Sequence, residues 1–85
     1  MKRRFEIVVS LKEGLLDPQG KTIQDSLPTM GWTSVSGVRV GKHIELTVDA
    51  DTEEDATTLV DEIAHRLLSN PVIEDFRILR TGEIR

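Results

Sequence analysis

The stretch VSGVRVGKHIELTVD, residues 35–49, decides the fold. Val38, Val40, Ile44, Leu46 and Val48 all fall on even positions, the period-two pattern of a strand with one buried face. Gly41-Lys42 interrupts the run and invites a hairpin. A two-residue turn there would set Val40 opposite His43 and Val38 opposite Glu45, mixing apolar and polar side chains on one face. A three-residue loop over 41–43 pairs Val40 with Ile44 and Val38 with Leu46, and the faces stay clean. One unbroken strand does equally well, because the alternation simply continues through Lys42. The two solutions predict the orders β-α-β-β-α-β and β-α-long β-α-β, and the residues leave both open.

Toward the N-terminus, Phe5, Ile7, Val9 and Leu11 alternate with Arg4, Glu6 and Ser10 in another half-buried strand, with Val8 breaking the polar face. Gly14 marks its exit, and Asp17-Pro18 opens a helix. The Asp17 carboxylate can accept free amide hydrogens of the first turn, where Pro18 has no amide hydrogen to leave unpaired. Ile23, Leu27 and Met30 share one face of that helix. A proline inside a helix removes one backbone bond and clashes with the previous turn at a cost of about 3 kcal/mol. Pro28 should therefore kink the helix or loosen it into a terminal turn near Leu27, before Gly31 stops it.

Toward the C-terminus, Thr52 caps the clearest helix, Glu53, Glu54 and Asp55 suit the positive end of its dipole, and Asn70-Pro71 ends it. Ala56, Leu59, Ile63 and Leu67 are its expected buried stripe. Phe76 and Ile78 alternate with Asp75 and Arg77 in a last strand, and the tail after Arg80 reads as frayed. The sum is one α+β domain over residues 1–85, a ferredoxin-like antiparallel sheet with two helices on one face.

A single core in a chain of 85 residues contributes only about 3–5 kcal/mol of stability. With no cysteine there is no disulfide, thiolate metal site or cysteine nucleophile, so association with other chains is the obvious further source of stability. The net charge is −4, and the basic residues are scattered apart from Lys2-Arg3-Arg4, which argues against nucleic acid as a partner. Phe5, Trp32 and Phe76 are too few aromatics for a base-stacking sheet. No apolar run approaches the roughly 20 residues of a membrane span or suits a signal peptide, so the expected location is the cytoplasm, with no membrane partner.

Little in the chain points to chemistry of its own. Gly37-Val38-Arg39-Val40-Gly41-Lys42 is one residue short of a phosphate-binding loop, lacks the following Ser or Thr, and lies in a strand pattern. His43 and His65 have no ligand spacing, and Asp61 one turn before His65 points to a plain surface pair. The acidic run 49–55 lacks the glycine and ligand spacing of a calcium loop and is explained as a solvated helix start. The serines at 10, 26, 34, 36 and 69 have no base arranged beside them. No catalytic, cofactor or metal residues are expected on this chain. What remains unexplained is residues 11–21, LKEGLLDPQGK, where Leu15 and Leu16 sit on a connector and adjacent exposed leucines often mark a contact surface.

LKEGLLDPQGKTIQDSL followed by GVRVGKHIEL resembles the paired signature of the PurS family, small subunits of phosphoribosylformylglycinamidine (FGAM) synthase, and the likeness runs over essentially the whole chain. Pro28 departs from the ordinary helix formers that family members usually carry there. The resemblance implies a non-catalytic subunit of an ATP-dependent glutamine amidotransferase complex in purine synthesis, bridging a glutaminase subunit and a large synthetase subunit and supporting ammonia transfer. It implies that ATP and magnesium belong to the complex and not to this chain, and that the chain self-associates as a dimer or dimer of dimers. Lys12, Asp17, Gln19, Lys21, Arg39 and Lys42 are the expected partner-interface residues, and Gly41 the expected hinge of a segment-swapped dimer. Two other classes share the element order. A small-molecule-binding regulatory domain of the ACT type would bind an amino acid, and an acylphosphatase-like enzyme would need an arginine in the loop after the first strand, which here carries Lys12 and Lys21 instead.

Overall fold

A computed structural model describes the backbone of residues 1–84 and the side chains of residues 1–79. Strand β1 (Lys2–Leu11) is the centre of a three-stranded sheet of order β2-β1-β3, with β2 (Gly41–Asp49) and β3 (Glu74–Ile84) both antiparallel to it. Helix α1 (Pro18–Ser26) lies between β1 and β2, and helix α2 (Glu53–Ile63), continued by a wide π turn over Ala64–Leu68, lies between β2 and β3. The order is β-α-β-α-β.

No hairpin forms at 41–43. Ile44 faces Ile7 of β1, Leu46 faces Phe5, and Lys42 faces Val9. Strand β2 begins only at Gly41, so the expected strand over 35–40 is not there. The amides of that segment have other partners: Val38 N–H donates to the Gln24 side chain at 3.1 Å and Val40 N–H to the Asp17 carboxylate at 2.7 Å. Gly37, at φ +70°, bends the chain out of the extended region that a strand needs. At the other end, the tail expected to fray is strand, since β3 pairs with β1 as far as Lys2 opposite Ile84. A bulge where Glu6 meets Ile7 leaves Leu79 without a partner in that register.

Alternation in β1 delivers Phe5, Ile7 and Val9 to one face, where they are buried with Val48 of β2 and with Ala56, Val60 and Ala64 of the second helix and its π turn. That corrects the expected stripe. The face of α2 against the sheet is Ala56-Val60-Ala64, spaced by four, while Leu59 and Leu67 are 43% and 78% exposed. Small residues let α2 approach the sheet closely, and the larger leucines are left on its flank. Thr52 caps α2 as expected, accepting from Asp55 N–H at 3.0 Å, and Arg3 pairs with Glu53 at 3.3 Å. The expected pair of His65 with Asp61 is absent among the described residues; the one-turn pair there is Glu62 with Arg66, at 3.0 Å.

Helix α1 has no comparable packing on the sheet; only Gly20 of it is buried. Pro28 acts as expected: α1 ends at Ser26, Leu27 caps it, and Pro28–Met30 form a single 3₁₀ turn closed by Gly31. Ile23 of α1 and Met30 of the 3₁₀ turn, expected on one helical face, are 46% and 64% exposed. Ile44, Leu46, Phe76 and Ile78 of the sheet are only partly buried, because α2 alone covers that face. The molecule is consequently drawn out, with extents of 52 × 30 × 14 Å.

Candidate interface at the strand–helix joint

The connector after β1 and the segment before β2 meet at one end of the sheet. Asp17 is 7% exposed and lies at their crossing. Its Oδ1 accepts from Gly20 N–H at 3.0 Å, as an N-cap does, and its Oδ2 accepts from Val40 N–H at 2.7 Å. The Gly20 amide, and then that of Val40, hold its pKa below the ordinary carboxylate value; partial burial opposes them and the Arg39 charge assists. A Cβ on Gly20 would lie 2.6 Å from both Asp17 Oδ2 and Val38 O, so only glycine lets the two segments come this close.

Arg39 completes the joint from the other side. Its guanidinium donates to the carbonyls of Leu15 at 3.1 Å, Leu11 at 3.2 Å and Lys12 at 3.3 Å, which fixes the connector around it. Lys12 Nζ lies 3.4 Å from Asp75, and Lys42 Nζ lies 4.0 Å from Glu74. Asp17, Gln19, Lys42 and Glu74 line an open recess of about 320 Å³ at this end of the sheet.

Lys12, Asp17, Gln19, Arg39 and Lys42 are thus brought to one joint, while Lys21 stands on the exposed side of α1, paired with Asp25 at 2.8 Å. The polar groups of Asp17 and Arg39 are engaged within the chain; Lys12, Gln19, Lys21 and Lys42 keep exposed side chains or weak surface pairs. Gly41 opens β2 in ordinary extended backbone, where a Cβ would meet Val9 O at 2.7 Å, so its position demands close approach. Gly20 is marked in the sequence only by the adjacency of Pro18-Gln19-Gly20 to a capping aspartate, and nothing local marks Gln24 or Glu74.

On the open face of the sheet, Glu6 and Glu45 are directly opposite, with His43 beside them. The imidazole turns Nε2 toward Glu6 at 4.0 Å and Nδ1 toward Glu45 at 3.9 Å, and Arg4 pairs with Glu45. The two ring nitrogens face different carboxylates beyond hydrogen-bond distance, whereas a shared metal ion would take one nitrogen only. Among the described residues no nucleophile is seated beside a base. A half-covered sheet, a helix not packed on it and a polar joint at their junction define a small α+β domain with apolar surface left for other chains to cover.

The family model for PurS, phosphoribosylformylglycinamidine (FGAM) synthase, matches residues 4–82. The PurS subunit of Bacillus subtilis is 45% identical over 74 residues, covering 87% of each chain. The solved structure of Thermus thermophilus PurS superposes with a TM-score of 0.88 at 30% identity over the full length of both chains. A chain in the structure of PurLQS from Thermotoga maritima superposes with a TM-score of 0.86 at 33% identity, over 93% of this chain and 96% of that one. The chain belongs to the PurS family of FGAM synthase subunits.

Proposed function

We propose that this chain is the non-catalytic small subunit of an ATP- and glutamine-dependent FGAM synthase, bridging the glutaminase and synthetase subunits so that ammonia passes between them. The observation that carries this reading is its likeness, over 93% of its length, to a chain in the structure of PurLQS. The absence of cysteine, and of a nucleophile–base pair among the described residues, supports a role in assembly and leaves the chemistry to larger partners. ATP and magnesium then belong to those partners, and the site of action is the cytoplasm, where purine synthesis takes place. Lys12, Gln19, Lys21 and Lys42 are the side chains this reading offers to partners. Self-association, with α1 of one chain covering the half-open sheet of another, completes it. The test is reconstitution: glutamine-dependent FGAM formation by the two larger subunits should need this chain, which by itself should show no glutaminase or ATPase activity. Full glutamine-dependent turnover without it would overturn the proposal.

A further inference from the structure

We infer that Asp17 is the positioning residue that fixes the direction of α1, through a backbone clasp that stands in for side-chain packing. A helix normally takes its direction from the apolar stripe it buries, but α1 buries only Gly20 and leaves Ile23 about half exposed, as the turn after it leaves Met30. Something else must hold it. The candidates all lie at the joint, where Asp17 joins the first turn of α1 to the start of β2 through two separate oxygens. One turn further along α1, Gln24 takes the amide of Val38, and from the facing segment Arg39 gathers the carbonyls of Leu11, Lys12 and Leu15. Both segments that connect α1 to the sheet are thereby tied at one point.

The clasp needs a carboxylate specifically. A serine or asparagine can cap a helix, but each offers one acceptor oxygen where two amides converge. Asparagine would turn its own N–H₂ toward either Gly20 N–H or Val40 N–H and would lose the attraction to Arg39. The close approach needs Gly20 equally, since any Cβ there collides with Asp17 and with Val38 O. The clasp presents α1 in a fixed direction before any other chain arrives, which lowers the ordering cost of whatever then covers the sheet.

Because the chain has no cysteine, the direction of α1 can be measured directly. Ser26→Cys and Thr58→Cys place spin labels on exposed positions of α1 and α2 in the full-length chain, diluted with unlabelled protein so that only intrachain distances are read. A single narrow distance distribution is expected with Asp17 intact. Asp17→Asn and, independently, Gly20→Ala should broaden it. In Asp17→Asn, exchange at the Gly20 or Val40 amide should rise by at least about tenfold, while β1 and β3 amides stay protected. Equally narrow distributions in both variants, with the sheet intact, would overturn the proposal, as would broadening accompanied by loss of sheet protection. Sedimentation of the same samples reports self-association separately, so failure of that reading is not confused with failure of this one.

Discussion

A compact chain of 85 residues exposes about 5,000 Å² and has a radius of gyration near 12 Å. This one exposes 6287 Å² and has a radius of gyration of 16.6 Å. The excess, about 1,200 Å² per chain, exceeds the roughly 800 Å² that each partner contributes to a standard complex. Two chains pooling that excess would bury about 2,400 Å², within the range of obligate homodimers. The chain is therefore expected to sediment as a dimer or larger at micromolar concentration. Ile23→Asp combined with Met30→Asp should make it monomeric. Both positions are outside the core and about half or more exposed within the chain, so neither carboxylate should disturb the isolated fold, but each would have to be buried on assembly. A homodimer carries each change twice, so even at about 1 kcal/mol for each of four carboxylates the dissociation constant rises by roughly a thousandfold. Sedimentation velocity over a dilution series, with far-ultraviolet circular dichroism as the folding control, reads the effect. A wild-type chain that sediments as a monomer at micromolar concentration, with a scattering radius near 12 Å, would show α1 folded back on its own sheet and refute the reasoning.

Two further outcomes are expected. Val60→Ala removes two fully buried carbons and leaves a cavity, costing about 2–3 kcal/mol and so about 10–20 °C of melting temperature, whereas Leu67→Ala, at 78% exposure, should cost under about 1 kcal/mol; equal losses in dilute solution would contradict the observed face of α2. Because the folded-state pKa of Asp17 lies below its ordinary value of 3.8, its contribution to stability is complete above that value and is lost as pH falls through the folded pKa. With Arg39, Lys12, Lys42, Glu74 and Asp75 as the other charged groups around the joint, wild type and Asp17→Asn should differ in melting temperature at pH 7 and draw together as pH falls from 3.8 through the folded-state pKa of Asp17; a difference that stays constant throughout would contradict the assignment.

Features set by near neighbours in the chain were legible, and features set by what a segment meets in space were not. Asp17 and Thr52 announced their helices because a cap acts within three residues, and Pro28 stopped α1 where its missing amide hydrogen required. The even-position valines before Gly41 misled, because alternation reports a chain with two different sides and not the partner of its amides. Val38 and Val40 keep that alternation while bonding to Gln24 and Asp17 instead of a strand. The stripe on α2 misled for a related reason. Leu59, Ile63 and Leu67 are the bulkiest set on the helix, yet a sheet already filled by Phe5, Ile7 and Val9 is approached best by Ala56, Val60 and Ala64. Bulk left on the flank of α2 and on α1 is what a lone small domain would have buried. Both sets therefore point the same way as the excess surface: they are the apolar groups that self-association would cover, and an α2 stripe drawn to bury them within one chain puts Leu59 and Leu67 on the wrong face.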